Sequence, residues 1–201
     1  VYCLNADNGN LVWSYTTGHQ IFSSPAVSDG KVYIGSGDYK VYCLDADNGN
    51  EIWSYTTGHG VDSSPAVVDG KVYIGSDDFN VYCLDADDGS EIWTFPTGGS
   101  EEASPAVVNG KVYVGSDDDN MYCLDADTGS EIWSYTTGDS VRSSPAVVDG
   151  KVYVGSFDKK MYCLDADTGD WIWDYTTGGY IVYCCPAVAN GKIYFGAYDS
   201  K

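Results

Sequence analysis

The sequence predicts an all-β fold, a β-propeller of five four-stranded blades, and three observations support this prediction. Tryptophan recurs at intervals of 40 residues, at Trp13, Trp53, Trp93, Trp133 and Trp173. Each 40-residue unit holds four short β-rich runs separated by turn motifs, and no stretch has the periodicity of a helix. Four strands in about 40 residues is the size of one propeller blade.

The first two strands of each repeat are joined by a two-residue turn. In SSPAVVDGKVYVGS the turn is Asp149-Gly150. The same slot holds Asp29-Gly30, Asp69-Gly70, Asn109-Gly110 and Asn190-Gly191. Both central residues of a type I′ turn need positive φ, which Asn, Asp and Gly adopt at low cost, so the pattern predicts a tight hairpin.

The third and fourth strands are MYCLDAD and EIWSYTT, joined by a turn at Thr128-Gly129. Apolar or small residues lie on both faces of KVYVGS and MYCL, which predicts blades that are covered on both sides by their neighbours. One cysteine occupies the same third-strand position in every repeat: Cys3, Cys43, Cys83, Cys123 and Cys163. We expect these thiols to behave as small buried apolar side chains, too far apart to form disulfides.

The two ends of the chain continue the repeat in phase. Joining KIYFGAYDSK to VYCLNADNGN reproduces KVYIGSGDYK followed by VYCLDADNGN. The sequence therefore predicts one domain, residues 1–201, closed by a composite blade built from residues 180–201 and 1–18. The alternative is a fragment of a seven- or eight-bladed ring, because the chain lacks an initiator Met.

The charge of the chain limits its partners. Thirty acidic and ten basic residues give a net charge of -20, which repels the phosphates of nucleic acid and anionic lipid. No apolar stretch approaches the roughly 18 residues of a membrane span. We expect a monomer that binds neither nucleic acid nor membrane.

The run around each tryptophan resembles the repeat of pyrroloquinoline-quinone (PQQ) type propellers. Their docking motif ends in Asp-x-x-x-Gly-x-x-x-Trp, as at Asp125, Gly129 and Trp133, although Asn5 replaces the Asp in the first copy. The resemblance implies that the five tryptophans are structural and dock each blade on the next. It also implies an extracellular or cell-surface location.

The resemblance leaves three functions open. The first is a non-enzymatic scaffold that binds a protein or small ligand. The second is a reduced PQQ-binding oxidoreductase, and the third is an engineered or recently amplified repeat protein without a ligand. Dehydrogenases of this type carry long insertions that supply a Ca²⁺ site and a catalytic Asp, and this chain has no insertion longer than one residue. We therefore expect no enzyme activity, no PQQ and no Ca²⁺.

Three motifs invite a chemical interpretation that we consider weaker than a structural one. The acidic run DADDGSE, residues 85–91, suggests calcium, but aspartate is also a common turn residue. His19 and His59 occupy equivalent positions, yet two ligands are too few for a zinc site. Cys184 and Cys185 resemble the vicinal disulfide of the dehydrogenases, but they also simply replace Ser143 and Ser144 of the preceding repeat.

Comparison of the repeats with one another locates their differences on one rim. The DG/NG and DADxG turns hardly vary, whereas the inter-blade loops and the loops between the second and third strands differ in every copy. Loops on a rigid scaffold commonly carry binding residues. The predicted binding residues are His19, Phe22, His59, Asp62, Glu101, Glu102, Arg142, Tyr180, Tyr183, Cys184 and Cys185. The fifth loop, GGYIVYCC, carries the single insertion and is the first choice for the binding edge.

Overall fold

The computed structural model describes residues 1–199, in which 20 β-strands and no helix are present. This confirms the all-β prediction. Ser200 and Lys201, which belong to the predicted composite blade, lie outside the described residues. Within residues 1–199 no helix is long and apolar enough to cross a bilayer.

Four complete blades are antiparallel sheets whose strands pair in sequence order. The first comprises β3 (Ala26–Ser28), β4 (Lys31–Ser36), β5 (Lys40–Asp45) and β6 (Glu51–Thr56). The second comprises β7 (Ala66–Val68), β8 (Lys71–Ser76), β9 (Asn80–Asp85) and β10 (Glu91–Pro96). The third comprises β11 (Ala106–Val108), β12 (Lys111–Gly115), β13 (Asn120–Asp125) and β14 (Glu131–Thr136). The fourth comprises β15 (Ala146–Val148), β16 (Lys151–Gly155), β17 (Lys160–Asp165) and β18 (Trp171–Thr176).

The remaining strands form two half-blades. The N-terminal half-blade is β1 (Tyr2–Leu4) paired with β2 (Leu11–Ser14). The C-terminal half-blade is β19 (Ala187–Ala189) paired with β20 (Lys192–Tyr194). The predicted composite blade needs β20 to pair with β1, and in residues 1–199 these strands belong to separate two-stranded sheets.

Closure of a five-bladed ring is therefore not confirmed. Phase-matched ends do not by themselves fix the angle between blades, which depends on side-chain packing at each junction. In residues 1–199 the two half-blades are separate two-stranded sheets, and Tyr2 and Leu4 of the N-terminal one are exposed.

The hairpin turns have the predicted geometry. At Asp149 φ is 50° and at Gly150 it is 70°, and the Asp-Gly and Asn-Gly turns of the other repeats have similar values. Positive φ at both central residues is the signature of a type I′ turn, whose twist matches that of the flanking strands.

Each junction between blades is built around an indole. Trp93 is 7% exposed, and its Nε1 donates a hydrogen bond of 3.1 Å to the carbonyl of Ala126 in the next repeat. A Cβ on Gly129 would lie 2.6 Å from Cδ2 of Trp93, so only glycine leaves room for the ring. Trp13, Trp53 and Trp133 make the same contacts with the repeats that follow them.

The third-strand cysteines lie in this core as free thiols. Cys43, Cys83, Cys123 and Cys163 are fully buried, and burial raises the pKa of Cys43 to about 11 and of Cys83 to about 12. These four thiols pack as apolar side chains, as expected. Cys3 is only half-buried because it lies in a half-blade.

The blades present two different rims. The turn rim carries the first-to-second and third-to-fourth strand turns, which touch where the Ala86 amide donates to the Gly70 carbonyl at 2.9 Å. The mouth rim carries the inter-blade loops and the second-to-third strand loops, which touch where the Asp77 amide donates to the Gly60 carbonyl at 2.9 Å. The variable residues thus share one end of every blade.

Candidate functional site

A repeated set of hydrogen bonds holds each inter-blade loop of the mouth rim. The amide of Gly58 donates to Oδ2 of Asp78 at 2.6 Å, and the hydroxyl of Tyr82 donates to the same oxygen at 2.7 Å. Equivalent glycine-to-aspartate bonds occur at Gly18, Gly98, Gly138 and Gly178. The loops are therefore fixed at their bases, and the residues that vary project from a rigid frame.

Five of the predicted binding residues occupy the same position in successive repeats and line a single cavity. They are Phe22, Asp62, Glu102, Arg142 and Tyr183, and we call the space that they surround the mouth cavity. Its volume is about 470 Å³, which lies within the usual range of ligand pockets. The five residues are all of different types and supply two aromatic rings, two carboxylates and one guanidinium.

Serine side chains form the floor of the mouth cavity and link the blades. The Ser64 amide donates to Oγ of Ser104 at 2.9 Å, and the Ser104 amide donates to Oγ of Ser144 at 3.0 Å. At the fifth repeat the Ser144 amide donates instead to the carbonyl of Cys184 at 3.0 Å. The floor is thus a continuous polar ladder beneath the variable side chains.

Arg142 is the cation of the mouth cavity, and its guanidinium is held on three sides. Nε and Nη2 donate to the two carboxylate oxygens of Asp117 at 2.7 and 2.6 Å. Nη1 lies 2.8 Å from Oε1 of Glu102 and donates to the hydroxyl of Tyr183 at 2.9 Å. Burial acts to lower the pKa of Arg142, but these partners outweigh it and raise the pKa, so the group stays charged.

On the acidic side of the mouth cavity the carboxylates have weaker cationic partners than on the Arg142 side. Burial raises the pKa of Asp62, and burial followed by repulsion from Asp62 and Glu102 raises the pKa of Asp77. His59 lies 3.7 Å from Asp77 and stacks on Tyr39 with ring centroids 5.0 Å apart. The field of the cavity is therefore negative on the Asp62 side and balanced on the Arg142 side.

The structure corrects the placement of Glu101. The sequence predicts Glu101 on the rim beside Glu102, but Glu101 is fully buried, at the position that Val61, Val141 and Ile181 occupy in other repeats. Adjacent side chains in this extended segment point in opposite directions, so only Glu102 reaches the cavity. Oε1 of Glu101 accepts a hydrogen bond from Thr97 at 2.6 Å, Oε2 has no hydrogen-bond partner, and burial raises the pKa of the carboxyl well above its usual range.

The divergent fifth loop buries Ile181 and Val182 and exposes its two tyrosines, as a contact surface requires. Tyr183 is 61% exposed with φ of 50°, and it borders both the mouth cavity and an adjoining cavity of about 410 Å³. Tyr180 also lines this second cavity, where its ring lies 5.5 Å from that of Phe157 and Lys159 Nζ lies 5.5 Å from the Tyr180 centroid. The alternative in which this loop only seals a blade requires a buried Tyr183, which is not found.

The side chains of His19, His59, Cys184 and Cys185 do not line the mouth cavity. His19 is exposed, and Cys184 and Cys185 are free thiols next to each other. The Cys184 sulfur is half-buried 3.7 Å from Oγ of Ser143, and burial raises its pKa. Within residues 1–199 no three His, Cys, Asp or Glu side chains converge in a way that could hold a metal ion. In the acidic run at residues 85–91, Oδ1 of Asp85 accepts hydrogen bonds from the amides of Asp87 and Asp88, which is a turn geometry.

Sequence reasoning missed Asp117 and Phe157, which fix Arg142 from the neighbouring loop. The Arg142 guanidinium carbon lies 5.4 Å from the Phe157 ring centroid. Both residues occupy one repeat position, which also holds Gly37, Asp77 and Tyr198. That position varies between repeats, as the predicted rim positions do. The sequence alone could therefore have identified Asp117 and Phe157 as rim residues.

A family model described as outer membrane protein assembly factor BamB matches residues 1–101 and, in a second overlapping match, residues 77–197. A comparison with curated proteins finds no significant match. The chain also resembles many solved structures.

Three solved structures illustrate the likeness. BamB from Moraxella catarrhalis is 17% identical, with a TM-score of 0.67 over 94% of this chain and 84% of that one. The computationally designed Ika8 protein is 17% identical, with a TM-score of 0.84 over 94% of this chain and 59% of that one. Quinohemoprotein alcohol dehydrogenase ADHIIG from Pseudomonas putida HK5 is 22% identical, with a TM-score of 0.71 over 90% of this chain and 39% of that one. At these identities the likeness establishes the propeller fold alone, and the chain spans only part of the latter two proteins.

Proposed function

Because the chain belongs to the PQQ-like repeat family described as outer membrane protein assembly factor BamB, we propose that it is a binding scaffold whose contact surface is the mouth rim. The observation that carries this proposal is the convergence of five different side chains, from equivalent positions of five repeats, on one cavity. A repeat protein that serves only as a frame has no need for such differences at one position.

The chemistry of the mouth cavity favours a basic protein segment as the partner. Asp62 and Glu102 supply negative charge, of which the Glu102 carboxylate is already paired with Arg142, while Phe22 and Tyr183 supply exposed aromatic surface. Aromatic rings and carboxylates together recognise arginine and lysine side chains through cation–π and ionic contacts. The net charge of -20 adds a long-range attraction for the same partner.

The proposal assigns the mouth cavity a binding role without a catalytic step or a cofactor. Likeness to a dehydrogenase at 22% identity supports the fold and does not favour quinone chemistry over binding. An extracellular or cell-surface location remains a prediction from the resemblance. A binding experiment distinguishes the proposed scaffold from the third alternative, a repeat protein without an evolved ligand.

That experiment is calorimetric titration of the protein with a peptide of alternating arginine and tyrosine residues, compared with a glutamate and tyrosine peptide. We expect the basic peptide alone to bind, with an affinity that falls as salt increases because the contact is largely ionic. The double variant Asp62→Asn/Glu102→Gln should weaken binding by about tenfold or more, since two charged contacts are lost.

A matched control removes the same charge from the turn rim. Asp47 and Asp69 are both exposed there, and Asn109 occupies the position equivalent to Asp69 in another repeat, so Asp47→Asn/Asp69→Asn leaves the fold intact. If this control weakens binding as much as the mouth variant, the peptide is attracted only by the overall charge. If neither peptide binds, the proposed function is wrong.

A further inference from the structure

Arg142 shows how the mouth rim holds a guanidinium group. Its partners are two carboxylates from different loops, Asp117 between β12 and β13 and Glu102 between β10 and β11. Asp117 accepts hydrogen bonds of 2.7 and 2.6 Å, and Oε1 of Glu102 lies 2.8 Å from Nη1. Only 16% of the Asp117 side chain and 24% of the Glu102 side chain are exposed. We call such a pair of carboxylates a guanidinium seat.

The same two positions hold carboxylates one repeat earlier. Asp62 is equivalent to Glu102 and Asp77 is equivalent to Asp117, since the members of each pair are 40 residues apart. The Asp77 side chain is 21% exposed, close to the value for Asp117. A Cβ on Gly60 would lie 3.8 Å from Oδ1 of Asp62 and 3.3 Å from Oδ2 of Asp77. The two carboxylates therefore approach one point and repeat the guanidinium seat.

This second seat receives no guanidinium from the chain itself. The position that supplies Arg142 holds Glu102 one repeat earlier, and Glu102 contacts Arg142 instead. Within residues 1–199 no lysine or arginine forms an ion pair with Asp62 or Asp77. His59 Nδ1 lies 3.7 Å from Oδ2 of Asp77, and Oδ1 of Asp77 has no hydrogen-bond partner.

The electrostatics of the second seat favour a cation. Burial raises the pKa of Asp62. Burial also raises the pKa of Asp77, and repulsion from Asp62 and Glu102 raises it further. A cation bound between these carboxylates relieves the repulsion and stabilises their ionised forms.

The second seat can be reached from the mouth cavity. Asp62 and Glu102 line this cavity of about 470 Å³, whereas Asp77 is not part of the lining. Arg142 has the same relation to Asp117, because Arg142 lines the cavity and Asp117 does not. By this equivalence a long side chain that enters the cavity contacts Asp62 and reaches Asp77.

The chain pairs its two kinds of cation with different carboxylates. On the turn rim Lys111 Nζ lies 2.6 Å from Oδ1 of Asp167, a single carboxylate whose side chain is 84% exposed. On the mouth rim Arg142 contacts two carboxylates that are mostly buried. A planar guanidinium with several donors can satisfy two carboxylates at once, whereas an ammonium is a compact and strongly hydrated charge. The second seat therefore favours arginine over lysine.

We propose that Asp62 and Asp77 form a seat for an arginine side chain of the protein segment that binds the mouth rim. This inference rests on the proposed function and deepens it, because it names the anchor residue of the partner and adds Asp77 to the binding residues. The two carboxylates contact the guanidinium as Glu102 and Asp117 contact Arg142. Both belong to loops between strands of complete blades, β6–β7 and β8–β9.

The first test compares the arginine and tyrosine peptide with a peptide of the same length in which lysine replaces every arginine. In calorimetric titration at neutral pH we expect the arginine peptide to bind about tenfold more tightly or better. Asp77→Asn should remove most of this preference, because one carboxylate of the seat is lost. Asp119→Asn is the matched control and should keep the preference, since Asp119 lies in a mouth-rim loop with φ of 72°, which Asn also adopts.

The second test places the arginine in the chain itself. Glu102→Arg puts a guanidinium at the position that Arg142 occupies one repeat later, so the local backbone accepts this side chain. Glu102→Lys is the matched control with the same change of charge. We expect Glu102→Arg to melt about 2 °C or more above Glu102→Lys, because only the guanidinium satisfies both Asp62 and Asp77.

The two tests separate this inference from the proposed function. Equal affinity for the two peptides would overturn the seat while the binding function stands, and so would a preference for arginine that survives Asp77→Asn. Equal melting temperatures of Glu102→Arg and Glu102→Lys would also overturn the seat. If neither peptide binds, the proposed function is wrong, and only a higher melting temperature of Glu102→Arg would still support a guanidinium seat at Asp62 and Asp77.

Discussion

The turn rim and the mouth rim belong to the same blades but differ in how much their residues vary between repeats. On the turn rim the hairpins and docking turns repeat almost unchanged, and local hydrogen bonds shape each docking turn, as where the Asp165 carboxylate accepts from the amides of Asp167 and Thr168. On the mouth rim equivalent positions hold an aromatic, a carboxylate or a guanidinium. Backbone geometry therefore constrains the residues of the turn rim, whereas the residues of the mouth rim can vary and supply binding groups.

The largest expected effect on stability lies at a junction between two blades, on the side of the turn rim. Trp93→Ala should destabilise the protein by about 3 kcal/mol or more, because it empties the space between two blades and removes the bond to Ala126. Chemical denaturation monitored by circular dichroism measures the loss.

Trp173→Ala is the matched control for this prediction. Its indole is only partly buried, and within residues 1–199 it makes neither the glycine contact nor the carbonyl hydrogen bond of Trp93. We expect Trp173→Ala to cost clearly less stability than Trp93→Ala. Equal losses would mean that the indoles contribute through their own blade and not through the junction.

A smaller change in stability, of opposite sign, is expected for a buried residue just beneath the mouth rim. Glu101→Val should stabilise the protein by about 1 to 3 kcal/mol at neutral pH, because it removes a buried carboxyl with an unpaired oxygen and restores the residue of neighbouring repeats. Thermal unfolding of the variant and of Glu102→Gln, which changes a half-buried rim carboxylate, measures the difference.

The pH dependence of this effect has a definite sign. Burial raises the pKa of Glu101 in the folded state, so the folded protein holds a proton that the unfolded chain releases. The stability of the unmodified protein should therefore decrease as pH rises from the unfolded pKa, about 4.5, towards the raised value. A Glu101→Val variant whose advantage does not grow over this range would contradict the assignment.

The comparison also shows what the sequence could predict. The Trp spacing and the Asp-Gly and Asn-Gly turns determine four-stranded blades because both report local backbone geometry and a periodic core. The variable rim could be predicted because up-and-down strands place alternate connections at one end. Each of these inferences depends on one repeat or on its immediate neighbours.

The features that the sequence did not predict depend on how several repeats are placed relative to one another. The phase match of residues 180–201 with residues 1–18 says that they can pair, but the angle between blades decides whether they meet. Glu101 could have been placed in the core by its alignment with Val61 and Val141, and its charge obscured that signal. The bidentate contact of Arg142 with Asp117 needs two loops from different repeats, which no local pattern brings together.

The most direct test of the division between rims is the pair of measurements on Tyr183→Ala. Tyr183 borders both cavities of the mouth rim and is mostly exposed, so its truncation should change the free energy of unfolding by less than about 1 kcal/mol. The same variant should lose most of its affinity for the arginine and tyrosine peptide, because an aromatic contact and the hydroxyl that orients Arg142 are both removed. A stable variant with impaired binding is the predicted result; a destabilised variant that binds the peptide as well as the unmodified protein would contradict the account.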